Sequence, residues 1–435
     1  MGVKMQERQR STTTKKCDMT EGGVQQFADK KYLSGVTVKP GYTQTEVGVI
    51  PEDWVATKLG EIVSFTNGKA HENVITDYGV YTVVNSKFIS TEGEVAKQSN
   101  SCFCSAAIND ILMVMSDVPN GRAIAKCFLV NKNNFYAVNQ RVCVVRPKGV
   151  HPKLLFYKLD RNQFYLSFDD GVKQTNLKKS DVLACPLALP SNNKEQTAIA
   201  TALSDVDALI TSLDQLIAKK RDIKQATMQQ LLTGKKRLAG LSGKWEVKQL
   251  GDVAEIIGGG TPSTFVSSYW NGTINWFTPT EIGIKKYSYE SERKITKNGL
   301  EDCSARILPI GTILLTSRAG IGDVSILMQE GCTNQGFQSL ISKDGYDNEY
   351  LYYLLLTLKK ELLQNASGST FLEINPNKLK KIEIFLPDYK TQTHIANILS
   401  DMDADINLLE AKRNKTIALK QGMMQELLTG RIRLI

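Results

Sequence analysis

Two stretches of the chain carry apolar residues at alternating steps of four and three. The first sets Ile199, Leu203, Val206, Ile210, Leu213 and Ile217 on one seam. The second sets Ile395, Leu399, Met402, Ile406 and Leu409 on another, then Arg413 where the seam would continue. A 3.5-residue period is that of a helix pairing with a helix, not of one lying on a sheet. No proline interrupts either run, and each ends in Leu-Leu-Thr-Gly, with Gly234 and Gly430 where a left-handed C-terminal cap is expected. The pattern predicts two helices, each of about 40 residues and ~60 Å long. They are expected to pair antiparallel, with Ile199, Leu203, Val206 and Ile210 buried against the 395–420 segment.

The two runs are also copies of each other. Gln196–Leu238 aligned without gaps on Gln392–Leu434 gives 22 identities over 43 positions. A weaker echo precedes each run: Trp54 with Leu59-Gly60-Glu61-Ile62 matches Trp245 with Leu250-Gly251-Asp252-Val253, and Asn139-Gln140 matches Asn334-Gln335. The chain is therefore a block, a helix, a second block and a second helix. Within the blocks, apolar runs at Asp110–Met115, Arg141–Val145, Gly311–Thr316 and Ile382–Leu386 predict strands between Gly/Asn/Ser-rich turns. Leu154–Leu159 and Tyr350–Leu363 predict short helices. The boundaries expected are a polar extension over 1–44, a block over 45–190, a helix over 191–240, a block over 241–387 and a helix over 388–435. The fold class expected is mixed α/β (α+β), with two such blocks separated by long antiparallel coiled-coil helices and related by a pseudo-twofold duplication.

Composition narrows the chemistry. The 435 residues are 42% apolar and 23% charged, a globular balance with no apolar run long enough to span a membrane. The first residues (MGVKMQERQRSTTTKKC) are basic without an apolar core, so no signal peptide is expected. Eight cysteines include no C-x-x-C pair and read as reduced thiols, which places the expected compartment in the cytoplasm. His71, His151 and His394 each stand alone, which disfavours zinc and His-based triads; no metal is expected. The formal net charge of +9 permits a polyanionic partner.

Catalytic motifs are missing. There is no G-x-x-x-x-G-K-[ST] loop. Gly258-Gly259-Gly260-Thr261-Pro262 and Gly320-Ile321-Gly322-Asp323 both fail the dinucleotide fingerprint. Asn375-Pro376-Asn377 lacks the second proline and the aromatic of an amino-methyltransferase tetrad, and Pro387-Asp388-Tyr389-Lys390 is the entry to the second helix. What remains is a set of polar loops at corresponding places in the two blocks, rich in the side chains that bond base edges and phosphates. In the first block they carry Lys69, Lys87, Arg122, Arg141 and Lys173; in the second, Thr261, Thr280, Arg318, Gln338 and Thr370. These ten are the candidate DNA-binding residues. The candidate helix-pairing residues are Ile199, Leu203, Val206, Ile210 and Leu213 with Ile395, Leu399, Met402, Ile406 and Leu409.

Taken in order, TEVGVIPEDW (45–54), KLGEI (58–62), KWEVKQLGDV (244–253), WFTPTEI (276–282) and the two QTxIA…LSDxDA…LLTG helices resemble the specificity (S) subunit of type I restriction-modification enzymes. The resemblance implies that each block is a target-recognition domain reading one half of a bipartite, asymmetric site in double-stranded DNA, with the helices as spacers. It also implies a non-catalytic chain that binds no cofactor of its own. Its expected partners are two modification (methyltransferase) subunits carrying S-adenosylmethionine, and two ATP-dependent restriction subunits with motor and nuclease activity.

Overall fold

The computed structural model describes residues 38–435 except 120, 242, 319 and 369–371. They form two compact units, one of residues 38–200 with 426–435, the other of residues 201–425.

In the first unit a four-stranded antiparallel sheet runs in the order Cys127–Leu129, Ile111–Val114, Val142–Pro147, Val63–Asn67. Ile111–Val114 is buried at every position, as a strand covered on both faces must be. A second sheet sets Tyr136–Val138 parallel to Tyr81–Val84, which pairs in turn with Lys97–Ser99. Trp54–Lys58 pairs with Pro186–Pro190 and brings the two ends of the block together. Tyr42–Thr45 forms a hairpin with Gly48–Pro51, so ordered structure begins inside the stretch expected to be an extension. The rest of that expectation, residues 1–37, lies outside the described residues.

The second unit repeats the plan. Ala254–Gly258, Gln338–Ser342, Ile313–Leu315 and Val324–Leu327 follow one another in a sheet that gains a fifth strand, Tyr287–Ser288. Gly331–Thr333 lies parallel to Trp270–Phe277, as in the first unit. Glu246–Gln249 pairs with Glu383–Leu386. The expected helix over 350–363 is instead two, Asn348–Thr357 and Lys359–Asn365, broken at Leu358, whose φ of −87° and ψ of 1° leave the helical region. No glycine or proline marks the break in the sequence.

Asn193–Leu231 and Tyr389–Leu427 are the two long helices, 39 residues each. Each is fastened at its start by the repeated glutamine. Gln196 Nε2 donates to Pro190 O at 2.8 Å and its Oε1 accepts from His151 N at 2.9 Å. Gln392 does the same with Pro387 O at 2.9 Å and Asp347 N at 3.0 Å. A buried amide paired at both its oxygen and its nitrogen in this way cannot be replaced without orphaning two backbone groups, which accounts for the repeat of this residue on structural grounds.

Within the second unit the helices pair antiparallel. Lys420 meets Asp207 at 2.6 Å, Arg413 meets Asp214 at 3.2 Å, Lys220 meets Asp405 at 2.9 Å, and Lys224 meets Asp403. One number falls as its partner rises. Asp207–Lys420 and Lys224–Asp403 are the same pair written twice, related by the offset that aligns Gln196 with Gln392. Between them Leu213, Ile217 and Ile406 are buried, at 5, 3 and 7% exposure. Val206, Ile210, Met402 and Leu409 are half-buried along the same seam. Arg413, where the apolar period lapses, makes one of the cross-helix ion pairs.

This register corrects the expected one. It sets Leu203 opposite residue 424, beyond the 395–420 segment, and Ile199 further along still. Ile395 and Leu399 sit in the core of the second block, with Met228, Leu231, Leu232 and Trp245 around them. The helix ends therefore serve as core of the block they touch, and the middle alone behaves as a coiled coil.

Both helix tails dock on a tryptophan. Gly234, at φ +68°, lies against Trp245 and Phe385, and Gly430, at φ +72°, lies against Pro51 and Trp54. Only a residue without Cβ takes that conformation freely at such close range. In the first unit the dock is charged: Arg433 forks onto Asp53 at 2.6 and 2.8 Å and onto the buried Glu195 at 2.6 and 2.8 Å. The Arg433 guanidinium holds the Asp53 carboxyl below its ordinary range. Lys158 is buried beneath the same tail, at the place Leu354 holds in the second block. Its ammonium donates to Ala188 O and Leu428 O, and burial pushes its pKa down to about 7.

Candidate nucleic-acid interface

In the first block, five loops are tied to one another at one place. Lys69 N donates to Val138 O (3.0 Å), Asn139 N to Val84 O (3.0 Å), Met115 N to Arg141 O (2.9 Å) and Leu177 N to Met115 O (2.8 Å). The second block makes the same four bonds: Gly260 N to Thr333 O (2.9 Å), Asn334 N to Phe277 O (3.1 Å), Ser317 N to Gly336 O (2.7 Å) and Ile374 N to Ser317 O (3.0 Å). A glycine permits the closest approach in each. A Cβ on Gly68 would run into Asn139 O and Val142 O, and one on Gly259 into Asn334 O and Thr333 O. Each set of bonds holds a loop cluster whose surface is polar and whose backbone is fixed.

Four of the first-block candidates stand on this cluster or beside it with exposed side chains: Lys69, Arg122, Arg141 and Lys173. Lys87 is exposed too, on a short helix, Ser86–Ser90, capped by Asn85 Oδ1 accepting from Phe88 N at 2.9 Å. The Lys173 loop is shaped by Asp170, whose carboxylate accepts from Val172 N and Lys173 N, both at 2.9 Å, bonds that lower its pKa. Arg122 immediately precedes Ala123, whose N donates to Asp117 Oδ2 at 2.6 Å. Gln174 Nε2 reaches Ser116 Oγ at 2.7 Å and so joins the Lys173 loop to the same cluster. All five first-block cations are exposed.

The second-block candidates are less alike. Thr261 donates through its hydroxyl to Gln335 Oε1. Thr280 is exposed in a one-turn helix, Pro279–Glu281, and its hydroxyl lies 3.0 Å from Thr278 Oγ1. Arg318 is paired with Glu373 at 3.0 Å. Gln338 departs from the expectation of a polar loop: it opens the strand Gln338–Ser342 and is 7% exposed. Its position after an Asn-Gln-Gly-Phe turn made it read as part of that turn. Thr370 lies outside the described residues.

Two features were not legible beforehand. His71 is buried under the first cluster; its Nδ1 donates to Lys69 O at 2.6 Å and its Nε2 accepts from Phe103 N at 3.0 Å, which fixes the backbone that carries Lys69. A lone histidine gives no sequence signal for such a role. In the second unit, Lys286, Tyr287, Tyr352, Lys224 and Asp403 line a cleft of about 640 Å³. Lys286 Nζ donates to Ser400 Oγ at 2.7 Å and to Tyr353 OH at 3.0 Å and pairs with Glu349. These bonds fasten the block to the second long helix.

The model of the type I restriction modification DNA specificity domain matches residues 51–220 and, a second time, residues 242–419. The chain belongs to that family. Among its relatives, the type I restriction enzyme MjaIX specificity subunit of Methanocaldococcus jannaschii is 44% identical over 181 residues, 41% of each chain. The putative MjaX specificity subunit of the same organism is 26% identical over 421 residues, 90% of this chain and 96% of the other. The EcoR124I/EcoR124II specificity subunit of Escherichia coli is 26% identical over 247 residues, 54% of this chain and 59% of the other. The chain thus spans about two-fifths of the first relative's length and nearly all of the second's. The S subunit of a type I restriction-modification system from M. genitalium shares the fold, with a TM-score of 0.57 at 16% identity over 86% of this chain and 96% of that one. The matched family is that of a DNA specificity domain, and the chain carries it twice. Among the described residues no helix is long and apolar enough to cross a membrane.

Proposed function

We propose that the two loop clusters each read one half of a bipartite, asymmetric DNA site, while the helix pair sets the unread spacer and docks two modification subunits. The observation that carries this is the duplicated cluster: four backbone bonds are identical in the two blocks, and the side chains they display are not. One scaffold presenting two different surfaces suits two different half-sites, where a homodimer would demand a palindrome. S-adenosylmethionine and ATP then belong to partner subunits, the modification pair and two restriction subunits, and this chain supplies position and sequence.

The clusters also differ in kind. Five exposed cations in the first suit phosphate contacts, which position without specifying. In the second the hydroxyls of Thr261 and Thr280 suit bonds to base edges, and Arg318 must leave Glu373 to reach DNA. Arg141→Ala in the assembled methyltransferase is expected to weaken binding to all sequences and to shallow the salt dependence. Arg318→Ala is expected to lower discrimination at one base pair of the other half-site. Titration of cognate and singly mismatched duplexes at several salt concentrations checks both; unchanged binding in both variants would put the interface elsewhere.

A further inference from the structure

Asn139-Gln140 and Asn334-Gln335 occupy the same place in the two blocks, and the structure gives the two residues of each pair different roles. The asparagines face the protein. Asn139 is 7% exposed; its Oδ1 accepts from His71 N at 3.2 Å and its Nδ2 donates to Glu72 Oε1 at 2.9 Å. Asn334 Oδ1 accepts from Gly336 N at 2.8 Å and closes the turn. Both backbones are clamped: Asn139 and Asn334 each donate to the neighbouring strand end, and Arg141 O and Gly336 O each accept from the loop beyond.

The glutamines face outward. Gln140 and Gln335 are both exposed. Gln140 has no side-chain hydrogen bond among the described residues, and Gln335 has the one from Thr261. Folding gives little reason for a glutamine at either place, since an exposed amide adds little to stability. An amide held at the tip of a rigid turn is, however, suited to recognition, because its position is set before any ligand arrives.

We infer that Gln140 and Gln335 are the matched base-reading side chains of this chain, each contacting one A·T pair in its own half-site. A carboxamide offers one acceptor oxygen and an amino group with two donors. That pairing matches the N7 and N6 of adenine at the major-groove edge, where Gln and Asn bind bidentately. The two differ in restraint. Thr261 corresponds to Ala70 in the first block, because Gly259 corresponds to Gly68. The Thr261 hydroxyl occupies one lone pair of Gln335 Oε1 and orients the amide, leaving Nε2 and the second lone pair for the base; Gln140 has no such guide. The half-site read by Gln335 is therefore the more stringent at that base pair. The inference rests on the proposal above that these clusters face DNA.

The test uses the complete chain assembled with its modification subunits, carrying Gln140→Ala, Gln335→Ala or Thr261→Val. Methylation is measured on cognate duplexes and on duplexes with single base-pair changes. Gln335→Ala is expected to lose about 5- to 150-fold discrimination at one A·T pair of one half-site, and Gln140→Ala a similar factor at one A·T pair of the other. Thr261→Val is expected to lower discrimination at the Gln335 position and at no other. Because all three positions lie on the loop surface, thermal unfolding of each variant should match that of the parent. If the parent complex methylates a bipartite motif and both glutamine variants discriminate as it does at every position, the inference is overturned and the DNA-reading proposal stands. A parent complex that recognises no bipartite motif brings down both.

Discussion

Exchanging residues 46–188 for the corresponding block of a relative is expected to change one half of the methylated motif and to leave the other half intact. Every bond that builds the first cluster lies within this block, from Gly68 to Leu177, and every bond that builds the second lies between Gly258 and Ile374. No shared residue couples them, so their contributions to recognition should be separable. The exchange has one structural condition. Asp53, Trp54 and Lys158 receive the tail of the second long helix, so the incoming block must keep them or accept a tail of matching charge. Mapping N6-methyladenine in DNA modified by the chimaeric complex checks the outcome. A change in both halves would show that the domains do not read independently.

Leu399→Ala should be the most damaging of the conservative truncations, at about 2–5 kcal/mol of unfolding free energy. Leu399 has 0% exposure and lies in a cluster that joins the second helix to Met228 and Leu231 of the first and to Trp245 of the block. Truncation would leave a cavity lined by residues from three elements that cannot all close on it. Leu408→Ala is the control, about two and a half turns further on and 71% exposed, with an expected change within about 0.5 kcal/mol. Chemical denaturation of the two variants measures the difference. Equal effects would mean that the second helix is not anchored through its first turns.

The helices and the duplication were open to reading from the chain because both depend on local pattern. A 3.5-residue seam and a gapless repeat need no knowledge of tertiary contacts, and the predicted strands at Asp110–Met115, Arg141–Val145, Gly311–Thr316 and Ile382–Leu386 are all present, with the second running on to Pro147 and the others trimmed at their ends. The register of the helix pair was not open in this way. It is decided by Asp207–Lys420, Lys224–Asp403 and their neighbours, and charges in a polar heptad position look alike until their partners are known. The same holds for Arg433 with Asp53, partners 380 residues apart, and for Lys158, a lysine in a position where its counterpart is leucine. Within the candidate interface, the matched loops were visible as matched polar turns. Which residue of a turn faces inward was not, and that is why Gln338 was included and Gln140 and Gln335 were left out. Asn334 closes its turn and Asn139 reaches inward to His71 N and Glu72, orientations set by the backbone of neighbouring segments.

The most direct test of the account is the methylation motif of the native chain. The complex formed with its modification subunits is expressed in a host free of adenine methylation, and N6-methyladenine is mapped by single-molecule sequencing. Two specific half-sites of different sequence, separated by a fixed run of unread base pairs, is the predicted result. A palindromic motif, a single continuous one, or methylation without sequence preference would contradict it.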